Sequence, residues 1–109
     1  MKLITKALLK SLPALYSTED IPLGEKIVHA KLFDPQGSYT YYVVEASQEE
    51  DDVILFGYVC GLAEDEWGNA SLNELQAFRG RYHLGIERDI YWTPKKVSEI
   101  PAIKLYEED

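Results

Sequence analysis

The chain has 109 residues and 46% hydrophobic content, which fits one domain spanning residues 1–109 around one compact core and leaves too little for two. Nineteen acidic against eleven basic residues give a formal net charge of -8, which disfavours generic binding to nucleic acid or anionic lipid. No apolar run approaches the roughly 18 residues of a membrane span, and a lone cysteine, Cys60, rules out an internal disulfide and argues against structural zinc. The expectation is a cytoplasmic protein without membrane contact, metal or cofactor.

Taken in chain order, Thr5 has the chemistry of a helix N-cap, with Ile4 before it placed to staple onto Leu9. The helix ends before Pro13, docks through Leu8, Leu9 and Leu12, and gives way to a loop over residues 13–25. "EKIVHAKLF" and "YTYYVVEA" are β-branched and aromatic runs joined by "DPQGS", a hairpin signal. After the acidic loop "SQEEDD", "VILFGYVCG" continues an antiparallel meander; it is apolar at nearly every position and therefore central and covered on both faces. Gly57 and Gly61 within it mark a bulge or a close backbone approach.

"WGN" at 67–69 reads as a turn, and Ser71 with Glu74 has capping-box spacing for a short helix through Leu72, Leu75 and Phe78. "IERDIYW" reads as a strand with Ile86, Ile90 and Trp92 on one face and Glu87, Asp89 and Tyr91 on the other. Thr93 as N-cap and Pro94 at the first helical position predict a last short helix stopped by Pro101. The expected fold is α+β: an antiparallel meander of four to five strands, with the N-terminal helix and two short later helices packed on it.

The segments "LLKSLPALYSTE", "AKLFDP", "YYVVEA", "FGYVCGLAEDEWGNASLNEL" and "GIERDIYWTPKKVSEI" together resemble the small bacterial proteins of domain of unknown function 2958 (DUF2958), which occur on plasmids, phages and integrated elements. The resemblance spans the whole chain. It implies an accessory cytosolic protein of a mobile genetic element and brings no catalytic residues with it.

Several residues stand out as candidates. Glu87 and Asp89, two apart on one strand face and roughly 6–7 Å apart at the backbone, could share a divalent ion in a metal-dependent hydrolase or nuclease-like enzyme. The solvated strand face is the competing reading, and no complete nuclease signature surrounds them. Arg88 falls among apolar neighbours, where an uncompensated guanidinium is costly; a structural ion pair with a carboxylate such as Glu45 or Glu74, or a ring to lie on, is expected. Cys60 reads as an inert thiol at a strand end. The aromatic residues exceed what a small core hides, so Tyr41, Tyr58, Trp67, Tyr91 and Trp92 are candidates for a binding surface.

Acidic runs at 49–52, 64–66 and 107–109 hold more than half of the carboxylates, whereas Arg79, Arg81, Arg88, Lys95, Lys96 and Lys104 gather in the last third. Three function classes follow. The favoured one is a modulator that binds an unknown protein partner, with acidic DNA mimicry as a sharper version if the runs line up on one face. The metal-dependent enzyme is the second, and a nucleic-acid-binding accessory acting through the basic last third is the third. Direct nucleic-acid binding runs against the net charge, and the oligomeric state is open.

Overall fold

The computed structural model describes residues 2–105. Helix α1 covers Lys6–Ser11, capped by Thr5 Oγ1, which accepts from Leu8 N at 3.1 Å. The strands are β1 (Ile27–Val28), β2 (Ala30–Phe33), β3 (Thr40–Glu49), β4 (Asp52–Cys60), β5 (Glu66–Ser71), β6 (Glu87–Arg88) and β7 (Lys95–Lys96), with α2 at Leu72–Ala77 between β5 and β6. Single 3-10 turns cover Leu23–Glu25 and Val97–Glu99, and Arg81–His83 makes an irregular turn with Tyr82 at φ 60°. The fold is α+β. A five-stranded antiparallel sheet runs β5-β4-β3-β2-β6, and β1 pairs with β7 in a separate two-stranded ribbon.

Residues 41–46 of β3 are all buried, so both faces of the sheet need a cover. On the first face Leu32, Tyr41, Val43, Ala46 and Leu55 pack with Leu3, Ile4 and Leu12, against Leu8 and Leu9 of α1 and Leu72 and Leu75 of α2. On the second face Tyr42, Val44 and Tyr58 pack with Val28 and with Val97, Ile100 and Ile103 of the last segment. Trp92 closes this side: its Nε1 donates to Val28 O at 3.0 Å, and its ring lies 5.9 Å from that of Tyr42. Helices thus cover one face and a nearly helix-free tail covers the other.

A bulge at Val44 reconciles β3 with both covers. Val43 pairs with Gly57 and Glu45 with Phe56, leaving Val44 as the extra residue. The shift returns Ala46 to the first core and sends Glu45 to the second face, where it is 3% exposed. Glu45 Oε1 accepts from Tyr16 N at 2.8 Å, and Oε2 accepts from Thr18 N and Thr18 Oγ1; that hydroxyl in turn accepts from Lys26 Nζ at 2.7 Å. The same loop covers the edge of β3 beyond its pairing with β2: Ala46 N donates to Pro13 O at 2.9 Å and Leu15 N to Ser47 Oγ at 2.9 Å.

Several expectations are corrected. "EKIVHAKLF" splits at His29, whose N–H donates to Val43 O at 2.9 Å, so that Val28 serves one core and Ala30 the other. The acidic loop contracts to a tight turn at Glu50 and Asp51 between paired Glu49 and Asp52. "WGN" is not a turn but the middle of β5, because Trp67 pairs with Tyr58 and stacks on Phe56 at 5.7 Å. The expected strand "IERDIYW" stops at Arg88. Asp89 N still donates to Lys31 O, after which the chain turns, with Asp89 Oδ1 accepting from Tyr91 N at 3.0 Å. The helix expected from Thr93 and Pro94 does not form: Lys95 and Lys96 pair with Val28 and Ile27, and one 3-10 turn follows, with Glu99 Oε1 accepting from Lys96 N at 2.7 Å. The meander covers β2 to β5 only, since β6 returns to the far edge beside β2.

Gly57 permits the bulge, because a Cβ there would lie 2.0 Å from Tyr42 O. Gly57→Ala is therefore expected to lower stability by about 3 kcal/mol, whereas Gly68→Ala, where a Cβ meets nothing within 4 Å, should be neutral or slightly stabilising. Urea midpoints of the two variants check the contrast.

Candidate functional site

The structure separates the two carboxylates singled out on "GIERDIYW". Glu87 lines a cavity of about 380 Å³ with Gln76, Arg79 and His83. Asp89 lines a smaller one of about 180 Å³ with Thr5, His29, Arg88 and Trp92. Among the described residues no group of three or more His, Cys, Asp or Glu side chains is gathered that could hold a metal ion.

Arg88 is positioned by its pairing with Leu32, which turns its side chain toward the first core. There Nη1 donates to Lys2 O at 2.7 Å and Leu3 O at 2.8 Å, while Leu3 N donates to Gln76 Oε1 at 2.9 Å. The guanidinium thus clamps the N-terminal segment to the sheet edge, and Glu45, a partner expected for it, is engaged by Tyr16 and Thr18 instead.

Of the aromatic candidates, Tyr41 and Tyr58 are buried and line no surface. Tyr41 OH donates toward Leu55 O and Gly68 O at 3.1 and 2.8 Å; burial first, then the neighbouring Tyr39, pushes its phenol far up. Trp67 is half-buried between Phe56 and Tyr58, with its Nε1 buried and without a hydrogen-bond partner among the described residues. Trp92 is partly covered, with Lys95 Nζ 4.3 Å and Lys31 Nζ 5.9 Å from its ring centre. Only Tyr91, 87% exposed, stands fully in solvent. The Cys60 thiol is half-buried and raised, by burial first and then by Asp65.

The charged runs are also dispersed. Residues 49–52 and 64–66 lie at opposite ends of β4, and 107–109 lie outside the described residues. Asp52 caps α2: its carboxyl is lowered chiefly by the Ser71 hydroxyl at 2.5 Å, with Asn73 N at 3.0 Å adding to it. In the basic third, Arg79 donates to Gln76 O and Phe78 O, and Lys96 pairs with Glu25 at 3.1 Å.

A groove that the sequence reading did not single out forms where the β2–β3 turn, the β4–β5 loop and the end of α2 meet. Its volume is about 390 Å³. The turn supplies Asp34, Ser38 and Tyr39, the loop supplies Leu62, α2 and its cap supply Glu74, Leu75 and Phe78, and Ile86 comes from the approach to β6. Ser38 Oγ donates to Gly61 O and locks turn to loop; Gly61, at φ +90°, is needed there because a Cβ would strike Ser38 O. Asp34 Oδ1 holds the turn by accepting from Gln36 N at 2.9 Å. Burial pushes the Tyr39 phenol up to about 12, so it stays protonated across the physiological range. Leu62 is 59% and Phe78 43% exposed at the lips, and Leu84 is exposed beyond Ile86. The helix expected to run through Phe78 ends at Ala77; Phe78 is its C-cap, and its ring is left to the groove.

The sequence signal for this site is faint. Asp34 reads as a turn former, Glu74 as a capping residue, and Leu62 as one apolar residue among acids. What brings them together is the antiparallel pairing that places both loops at the same end of the sheet.

Fold and groove together define a small α+β protein whose sheet is covered on both faces, with a largely apolar groove rimmed by carboxylates. No helix among the described residues is long and apolar enough to cross a membrane. The chain belongs to the family described as protein of unknown function (DUF2958), whose model matches residues 3–105. No curated protein and no solved structure matches it.

Two measurements test the local chemistry. Arg88→Ala should lower stability by about 2 kcal/mol through loss of two charge-assisted hydrogen bonds, and Arg88→Lys should recover only part of it; thermal melts compare the three. Burial lowers the His29 pKa from its ordinary 6.5. Near that pH the unfolded chain takes up a proton that the folded chain resists, so stability should fall on acidification from about pH 7.5 to 5.5 and fall less in His29→Gln. Denaturant midpoints across that range check it.

Proposed function

We propose that this protein acts by binding a macromolecular partner, with the groove between the β2–β3 turn, the β4–β5 loop and α2 as its contact site. The observation that carries the reading is that two exposed apolar side chains, Leu62 and Phe78, stand with Leu75 and Ile86 around one concave, mostly apolar groove. An isolated exposed leucine means little, but several around a groove are characteristic of interaction sites. The rigid frame, with Ser38 bonded to Gly61 and Asp34 to its own turn, favours binding because little order has to be created on contact. An accessory role in a mobile genetic element is compatible with such a module and adds no chemistry to it.

The acidic runs support DNA mimicry poorly. A phosphate array needs charge in a continuous row, and the two described runs sit at opposite ends of a nine-residue strand. The enzyme reading through Glu87 and Asp89 is likewise weakened by their lining different cavities.

Affinity capture from a host lysate tests the proposal. The wild-type chain should retain one defined partner, Leu62→Ser/Phe78→Ser should lose it, and Ile90→Ser, an exposed change elsewhere, should keep it. A partner retained equally by all three places the contact elsewhere. A Tm raised by Mg, Mn or Ca, with no partner captured, returns weight to a metal-dependent activity.

A further inference from the structure

The groove combines two features that one kind of side chain satisfies together. Its floor is aliphatic, from Leu75 and Ile86, Leu62 stands at its lip, and its rim carries the carboxylates of Asp34 and Glu74. Neither carboxylate has a cationic partner among the described residues; the Glu74 side chain makes no hydrogen bond there, and the Asp34 carboxylate accepts only from Gln36 N. Tyr39 and Phe78 add two rings to the wall. Lysine and arginine are built to match, with an apolar stem that prefers covered surface and a cationic head that prefers carboxylates or an aromatic face.

Resting on the interaction reading above, we infer that the partner presents a basic, leucine- or isoleucine-containing peptide segment, and that one of its arginine or lysine side chains lies along this groove with its head between Asp34 and Glu74. The surroundings favour such a segment over a free amine. Leu62 and Phe78, both exposed, extend the apolar surface past what one side chain covers. Glu64 and Asp65 lie two and three residues after Leu62 on the same loop, so neighbouring basic residues of the segment also meet negative charge. With a net charge of -8 the whole molecule attracts such a partner, and the groove supplies the register.

The test uses the full chain and a short labelled peptide of alternating leucine and arginine, read by fluorescence anisotropy. A matched peptide with citrulline for arginine keeps shape and removes charge. Binding of the arginine peptide should weaken at least about tenfold in Asp34→Asn/Glu74→Gln, which retains the turn acceptor, and should be unchanged in Glu49→Gln/Asp51→Asn, which removes the same charge at the far end of the sheet. Equal loss in both variants would reduce the effect to overall charge and overturn the inference. Equal binding of the citrulline peptide, abolished by Leu62→Ser/Phe78→Ser, would overturn the cationic anchor while leaving the groove as a contact site. Absence of binding by the arginine peptide, or full displacement by spermidine at matched charge concentration, would overturn the basic-segment assignment. Melting curves of each variant confirm that the comparison is between folded proteins.

Discussion

Six consecutive buried residues in β3 set the problem that the rest of the chain solves. A strand with one wet face needs one cover, whereas this one needs two, and a chain of 109 residues has little left to make them. Two six-residue helices suffice on the first face because the N-terminal segment, with Leu3 and Ile4, fills in beside them. On the second face the cover is a tail with one 3-10 turn, held by the β1–β7 ribbon and by Trp92, whose indole bonds Val28 while its ring packs on Tyr42. Short elements become adequate when each is tied to the sheet by a specific polar bond as well as by apolar area.

Glu45 shows how a charge can belong to that core. The bulge at Val44 gives β3 an extra residue, and the carboxylate it redirects becomes the acceptor for a loop with no regular structure of its own. Tyr16 sits there at φ 67°, a conformation that needs such support. Lys26 reaches the same hydroxyl from the other side, so the negative group is approached by donors throughout. The loop then shields the part of β3 that β2 leaves unpaired.

The sequence was legible where local chemistry decides. Thr5 and Ser71 cap helices as their side chains require, and the β2–β3 hairpin and the Gly57 contact follow from residue type. It misled where a distant partner decides. Trp67 and Gly68 look like a turn until Tyr58 and Gly57 lie opposite them, and Thr93-Pro94 resembles a helix start until Ile27 and Val28 pair with the lysines that follow. Arg88 was recognised as a structural problem, but its answer, two backbone carbonyls from the other end of the chain, has no local trace. The groove was illegible for the same reason: its carboxylates come from a turn and a cap, and each already has a sufficient local explanation.

The hydrogen bonds that tie the two ends together, Arg88 to Lys2 and Leu3 and Trp92 to Val28, span 86, 85 and 64 residues. The central β3–β4–β5 meander needs only near neighbours and can form early, while closure of both faces waits for contacts of high sequence separation. During synthesis the emerging chain therefore holds an apolar sheet, with one edge and one face uncovered, until the segment beyond Ile86 has left the ribosome. The hazardous interval runs from the completion of β5 to the emergence of the closing segment, and chaperone engagement with the nascent chain would fall within it.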